Sequence, residues 1–68
     1  MNWISVKDGL PEDDGRGYYH SVRVIICDTN NNILIGYYDY DDHTWREDDG
    51  FVADEISFWM PMPKPPQA

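Results

Sequence analysis

The sequence has few of the residues on which several large protein classes depend. A single cysteine, Cys27, excludes an internal disulfide and with it a disulfide-rich secreted scaffold. One cysteine and two histidines, His20 and His43, do not supply the paired ligands of a structural zinc site. The longest apolar run, residues 24–27, is far shorter than the ~20 residues of a membrane helix, and the first residues lack a signal-peptide pattern. We therefore expect a cytoplasmic protein with a reduced thiol.

Basic residues are also scarce. Five Lys or Arg stand against thirteen Asp or Glu, which gives a formal net charge of −8. Direct binding to nucleic acid or to an anionic membrane depends on Lys and Arg that contact phosphate groups. The charge balance therefore predicts that neither nucleic acid nor a membrane is a partner.

The 68 residues are enough for one domain with a thin core. Helical periodicity is absent, whereas short segments rich in β-branched and aromatic residues are bounded by Gly, Pro, Asn and Asp. We therefore predict a mostly-β, small single domain over residues 1–68, an antiparallel meander of about five strands in a curled sheet or partial barrel. The prolines of residues 61–68 predict an extended, polyproline-like tail.

The clearest local pattern is a β-hairpin. Residues 21–28 and 33–40 form its strands on either side of an asparagine-rich turn, and asparagine tolerates the positive φ that tight turns require. A two-residue turn at residues 30–31 predicts that Cys27 pairs with Leu34, whereas a three-residue turn over residues 30–32 shifts this register by one.

Both faces of this hairpin are apolar near the turn, as expected for a central element of a curled sheet. Cys27 alternates with Ile25 along the strand, which predicts a core position for the thiol. Gly36 lies inside the second strand and predicts a bulge or a sharp bend.

Three shorter segments complete the predicted sheet. They are residues 3–6, a short strand around Trp45, and residues 56–60. Tryptophans near both ends of the chain predict that the terminal strands pack together and close the sheet. Residues 51–55 are compatible with a turn or with a single helical turn.

Three motifs carry a family resemblance. Residues 3–12 read Trp-Ile-Ser-Val-Lys-Asp-Gly-Leu-Pro-Glu, and residues 59–66 read Trp-Met-Pro-Met-Pro-Lys-Pro-Pro. Between them lie Gly-Tyr-Tyr-Asp at residues 36–39, then Trp45 and Ile56. With these motifs the chain resembles the domain-of-unknown-function family 551 over nearly its whole length. The resemblance implies a bacterial, phage or prophage origin and a cytoplasmic setting, and it implies no activity.

The acidic segment after the hairpin begins like a calcium-binding loop. Asp39, Asp41 and His43 alternate as the first ligands of such a loop do. However, Thr44 occupies the position of the required glycine, and Gly50 occupies that of the closing glutamate. We therefore predict no metal site and no cofactor.

Catalytic motifs are missing as well. Neither histidine stands in a recognisable motif with a Ser or Cys nucleophile, the chain has no glycine-rich phosphate loop, and so small a domain offers little depth for an active site. We expect that the protein is not an enzyme, with a small metal- or ligand-dependent enzyme as a distant alternative.

The negative charge is concentrated in one part of the chain. Residues 39–55 hold eight acidic residues against Arg46 alone, so seven of the eight net negative charges fall on this segment. A concentrated field steers a basic protein partner, and exposed tyrosines are typical of binding surfaces. The predicted partner-binding residues are Tyr38, Tyr40, Asp41, Asp42, Asp48 and Asp49. The alternative is a structural or assembly protein that forms homo-oligomers through exposed tyrosines.

Overall fold

A computed structural model describes residues 2–17 and 19–63, which form one antiparallel β-sheet. Its strands are β1 (Ile4–Ser5), β2 (Val24–Asp28), β3 (Ile33–Asp39), β4 (Thr44–Glu47) and β5 (Ile56–Pro61). The described part of the chain contains no helix, and therefore none that spans a membrane. The prediction of an all-β fold with five antiparallel strands is confirmed.

The spatial order of the strands is β1-β5-β2-β3-β4. Strands β2, β3 and β4 follow one another as a meander, whereas β5 returns to lie between β1 and β2. Ile4 of β1 pairs with Trp59 of β5, so the predicted contact between the terminal strands is confirmed. This contact does not close the sheet, because the other edge of β5 pairs with β2 and the described strands form an open sheet.

The register of the β2–β3 hairpin differs from the prediction by one residue. Cys27 lies opposite Ile33, not Leu34, because the turn consists of three residues, 29–31. The N–H of Asn31 donates to the carbonyl of Asp28 at 3.1 Å, and Asn31 itself has a φ of 67°. With this left-handed asparagine the turn holds three residues, so β2 leaves the ladder at Asp28, one residue earlier than in the predicted two-residue turn.

The side chain of Asp28 organises this turn. Its Oδ1 accepts the N–H groups of Asn30 at 2.8 Å and Asn32 at 2.9 Å, and its Oδ2 accepts the Asn32 amide at 3.0 Å. The side-chain and backbone hydrogen bonds from Asn32, opposed by desolvation and assisted by Asn30, lower the pKa of Asp28 below its ordinary value. The turn is therefore stabilised by the ionised carboxylate.

One face of the sheet carries the core. Its buried cluster consists of Val24, Ile26, Tyr38, Trp45, Ala53, Ile56 and Trp59. Gly36 lies on this face, where it pairs with Val24 of β2 and with Glu47 of β4, and neither register shows a shift. A Cβ at this position would collide with the carbonyl oxygen of Arg46 and lie 3.0 Å from Cδ1 of Ile26. The predicted bulge at Gly36 is therefore wrong, and the glycine is required because β3 and β4 approach closely here.

The predicted core position of Cys27 is also wrong. Val24 and Ile26 are buried on the core face, and alternation along β2 places Ile25 and Cys27 on the opposite face, where both are half-buried. A layer of helices or a second β-sheet packed on that face would bury these two side chains. The described residues supply no such layer.

Candidate functional site

The face opposite the core is apolar and open to solvent along β3 and at Phe58, whereas Met60, which pairs with Ile25, is only 8% exposed. Ile25 pairs with Ile35, and Cys27 pairs with Ile33 on one side and with Phe58 on the other, so these side chains share that face. The exposed fractions are 64% for Ile33, 43% for Ile35 and for Phe58, and 40% for Trp3. We call this surface the open face, formed by Trp3, Ile25, Cys27, Ile33, Ile35 and Phe58. Contiguous exposed apolar surface of this kind is typical of an interaction site.

The open face extends towards β1 through Trp3. This residue precedes β1 and lines a shallow depression of about 360 Å³ together with Cys27, Asn31 and Phe58. Because Phe58 pairs with Ser5 as well as with Cys27, the patch crosses β3, β2 and β5 and reaches the edge of the sheet.

An acidic turn borders the other end of this face. The seven residues of β3 outnumber the four of β4, whose last residue, Glu47, pairs with Gly36. The N–H of Asp48 then donates to the carbonyl of Ile35 at 3.0 Å, and a turn closed by Gly50 leads the chain away. A groove of about 570 Å³ remains, which we call the acidic groove, lined by Ile33, Leu34, Ile35, Glu47, Asp48 and Asp49.

One carboxylate of the acidic groove is engaged by an arginine. Nε of Arg23 lies 2.9 Å from Oδ1 of Asp48, and Nη2 lies 2.9 Å from Oδ2, so the pair is bidentate. Both side chains are exposed, and pairs of this type add little stability. Glu47 and Asp49 form no ion pair with any residue that the structure describes, so their negative charges remain available to a partner.

Three further acidic residues, Asp39, Asp41 and Asp42, lie at the opposite end of β4. Arg46 contacts Asp39 at 3.1 Å and Asp42 at 2.7 Å, and it donates to the carbonyl of Gly50 at 2.9 Å. Desolvation alone would raise the pKa of Asp39, but the N–H groups of Asp42 and Asp41 and the Arg46 guanidinium hold it below its ordinary value. Asp41 is exposed. Six of the eight acidic residues of segment 39–55 thus form two clusters separated by β4, and Asp54 and Glu55 precede β5.

The two tyrosines assigned to the binding surface lie elsewhere. Tyr38 is only 8% exposed and packs edge-to-face against Tyr40 and Trp45, with ring centroids 5.2 and 5.1 Å apart. Tyr40 is half-buried, and its hydroxyl donates to the carbonyl of Pro11. Burial, with smaller contributions from neighbouring charges including Asp13, raises the pKa of Tyr40. The expected exposure of these rings is wrong, because Tyr38 belongs to the core cluster together with Trp45, and Tyr40 packs against that cluster.

The open face is a feature that the sequence alone did not reveal. Ile25 and Cys27 were expected in a core, since apolar residues are usually buried. The available signal was the hairpin itself, which is apolar on both faces in a chain too short to cover both. Such a pattern predicts either a buried strand or an exposed apolar surface.

Two further expectations concern metals and the tail. Among residues 2–17 and 19–63, no group of three His, Cys, Asp or Glu side chains is arranged to hold a metal ion. Pro61 is the last residue of β5, so the start of the proline-rich segment continues the sheet. The rest of the predicted tail, residues 64–68, and Tyr18 lie outside the described residues.

Comparisons with known proteins identify the family and nothing narrower. No curated protein and no solved structure matches the chain. The profile of the family described as protein of unknown function, DUF551, matches residues 2–67, nearly the entire length. The resemblance carried by the two terminal motifs is therefore confirmed, and the chain belongs to the DUF551 family.

Proposed function

We propose that this protein is a non-catalytic interaction module that binds another protein through its open face and acidic groove. The observation that carries the proposal is the exposure of Ile33, Ile35, Phe58 and Trp3 on one side of the sheet. Exposing large apolar side chains to water is unfavourable by about 25 cal/mol per Å². A partner that covers them recovers this free energy, which is how most protein interfaces are stabilised.

The chemistry of the neighbouring groove favours a basic partner. Glu47 and Asp49 have no described cationic partner, and they lie beside the side chains of Ile33 and Ile35. A segment with apolar residues flanked by Lys or Arg therefore fits both parts of the surface. The charges speed association and exclude acidic competitors, whereas the apolar contacts supply most of the affinity.

The one arrangement that resembles a catalytic site does not support an enzyme. His20 lies 3.6 Å from a carboxylate oxygen of Asp14 and is followed by Ser21. The Ser21 hydroxyl, however, donates to the carbonyl of Val22 at 2.7 Å and accepts the N–H of Tyr38 at 2.9 Å, and Ser21 is 1% exposed. A nucleophile must reach substrate, so this buried hydroxyl is a structural group.

The proposed setting is the cytoplasm of a bacterial or phage-infected cell, as an accessory protein of bacterial or mobile-element origin. This setting rests on the terminal motifs of the sequence and on the reduced state expected of a lone cysteine. A second copy of the chain is the competing occupant of the open face. In that case the open face would be the interface of a homo-oligomer.

Site-specific photo-crosslinking tests the proposal. Benzoylphenylalanine replaces Ile35 in the open face or, as a control, Leu10, which is equally exposed on the loop after β1. We expect the probe at position 35 to cross-link one protein in a bacterial lysate. An excess of wild type without the probe should suppress this product, whereas an excess of the Phe58→Lys variant should not. The purified partner should then bind wild type directly. Equal products at both positions, or a product that is a second copy of this chain, would contradict the proposal.

A further inference from the structure

We infer, resting on the proposed function, that the partner adds an extended strand to the free edge of β3 in the acidic groove. The added strand continues the line of β4 beyond Glu47, where β4 ends and β3 does not. Strand addition uses main-chain hydrogen bonds for affinity and alternate side chains for specificity.

The direction of the main-chain groups follows from the hairpin register. The N–H of Asp28 donates to the carbonyl of Asn32 at 3.1 Å, so these two residues form a hydrogen-bonded pair. Hydrogen-bonded and non-hydrogen-bonded pairs alternate along an antiparallel ladder. The next pair, Cys27 with Ile33, is therefore non-hydrogen-bonded, and the N–H and C=O of Ile33 point away from β2.

The pairing of β2 with β5 agrees with this assignment. By the same alternation, Val24 directs its main-chain groups towards β3 and not towards β5. Its partner in β5 is Pro61, which has no N–H to offer. A proline is tolerated at that place because no hydrogen bond is required there.

Strand β4 stops short of the outward groups of β3. The carbonyl of Ile35 receives the N–H of Asp48, and the turn closed by Gly50 begins there. By the alternation of the β2–β3 ladder, the N–H and C=O of Ile33 and the N–H of Ile35 point away from β2. No turn or side-chain hydrogen bond among the described residues reaches these groups. They face the acidic groove and form a short free edge.

The outer edge of β4 is already occupied. The N–H of Glu47 donates to the carbonyl of Phe51, and the N–H of Ala53 donates to the carbonyl of Trp45, both at 2.8 Å. An added strand can therefore pair with the free edge of β3, whereas the outer edge of β4 cannot accept one. Charges beside an edge normally prevent pairing between identical copies. Here Glu47 and Asp49 would repel another acidic chain and attract a strand that carries Lys or Arg.

A peptide titration tests the inference. The probe is acetyl-Lys-Val-Lys-Val-Lys-amide, added to ¹⁵N-labelled full-length protein and followed by NMR. We expect saturable downfield shifts of the Ile33 and Ile35 amide protons, the sign of new hydrogen bonds. The same peptide with N-methylated valines, and a Glu-for-Lys peptide, should bind severalfold more weakly.

A matched pair of variants isolates the main-chain donor. Ile33→Pro removes an N–H that points to solvent and also replaces the exposed isoleucine side chain. Proline is tolerated at the first residue of a strand, and peptide affinity should fall severalfold. Ile33→Val keeps the N–H and should bind as wild type does. Shifts at Trp3 and Phe58 without shifts of the Ile33 and Ile35 amides would overturn strand addition and leave the proposed function standing. Absence of shifts at both sets of residues would overturn the inference, and so would equal binding of the N-methylated peptide. Both results are obtained with the wild-type protein and do not require that Ile33→Pro folds.

Discussion

At the scale of the single residue, Gly36 sets how closely β3 and β4 approach. Replacing it with alanine places a methyl group against the carbonyl of Arg46, and backbone cannot move aside as a flexible side chain can. We expect Gly36→Ala to lose about 1–3 kcal/mol of unfolding free energy in a urea titration. Gly9→Ala is the control, because a Cβ there meets no atom within 4 Å. A Gly36→Ala variant as stable as the control would contradict this reading.

Cys27 reports directly on the open face. The thiol is half-buried and lines the shallow depression beside Trp3, Asn31 and Phe58. We expect a small thiol reagent to label it in the native protein, more slowly than in denaturant but at a rate that low concentrations of urea leave unchanged. A labelling rate that rises with urea from the outset would mean that the thiol reacts only after unfolding, and that the face is covered.

At the scale of the element, the β2–β3 turn makes stability depend on pH. Its hydrogen bonds lower the pKa of Asp28 in the folded state, so the stabilisation is complete above the ordinary carboxyl value of 3.8. It is lost as the pH falls through the lower folded value. Melting temperatures should show that Asp28→Asn is less stable than wild type at pH 6 and that the difference shrinks below about pH 4.

Asp54→Asn provides the matched comparison for Asp28. Asp54 is an exposed aspartate that accepts no hydrogen bond from the described residues. The same charge change there should leave the acid limb of the melting curve parallel to that of wild type. A constant difference between Asp28→Asn and wild type from pH 6 to pH 2 would show that the turn does not depend on the ionised carboxylate.

The strands could be predicted from the sequence, whereas their register and order could not. β-Branched and aromatic residues identified β2, β3 and β5, because these side chains favour extended backbone. The register depended on which asparagine adopted a left-handed conformation, and three consecutive asparagines leave that choice to the surrounding structure. The insertion of β5 between β1 and β2 depends on long-range pairing, which local sequence does not encode.

The candidate site was predictable in its charge but not in its geometry. The acidic residues were identified from composition, yet only the fold shows that β4 separates Asp41 and Asp42 from Asp48 and Asp49. The tyrosines were assigned to the binding surface by residue type, whereas Tyr38 lies in the core and Tyr40 is half-buried.

At the scale of the whole molecule, the negative charge is divided between two ends of one strand. The four residues of β4 span roughly 13 Å, which exceeds the Debye length of about 8 Å at physiological ionic strength. A partner in the acidic groove should therefore respond to Asp48 and Asp49 and be largely insensitive to the distant pair. Each pair contains one aspartate held by an arginine, Asp42 by Arg46 and Asp48 by Arg23.

The most direct test of the docking surface compares two double variants that carry the same charge change. The partner identified by cross-linking is titrated into Asp48→Asn/Asp49→Asn and into Asp41→Asn/Asp42→Asn, at low and at physiological salt. We predict that the first variant loses affinity severalfold, most at low salt and mainly through a slower association rate, while the second binds nearly as wild type does. Equal affinities for the two variants, or a larger loss in the second, would contradict the assignment of the docking surface to the open face and the acidic groove.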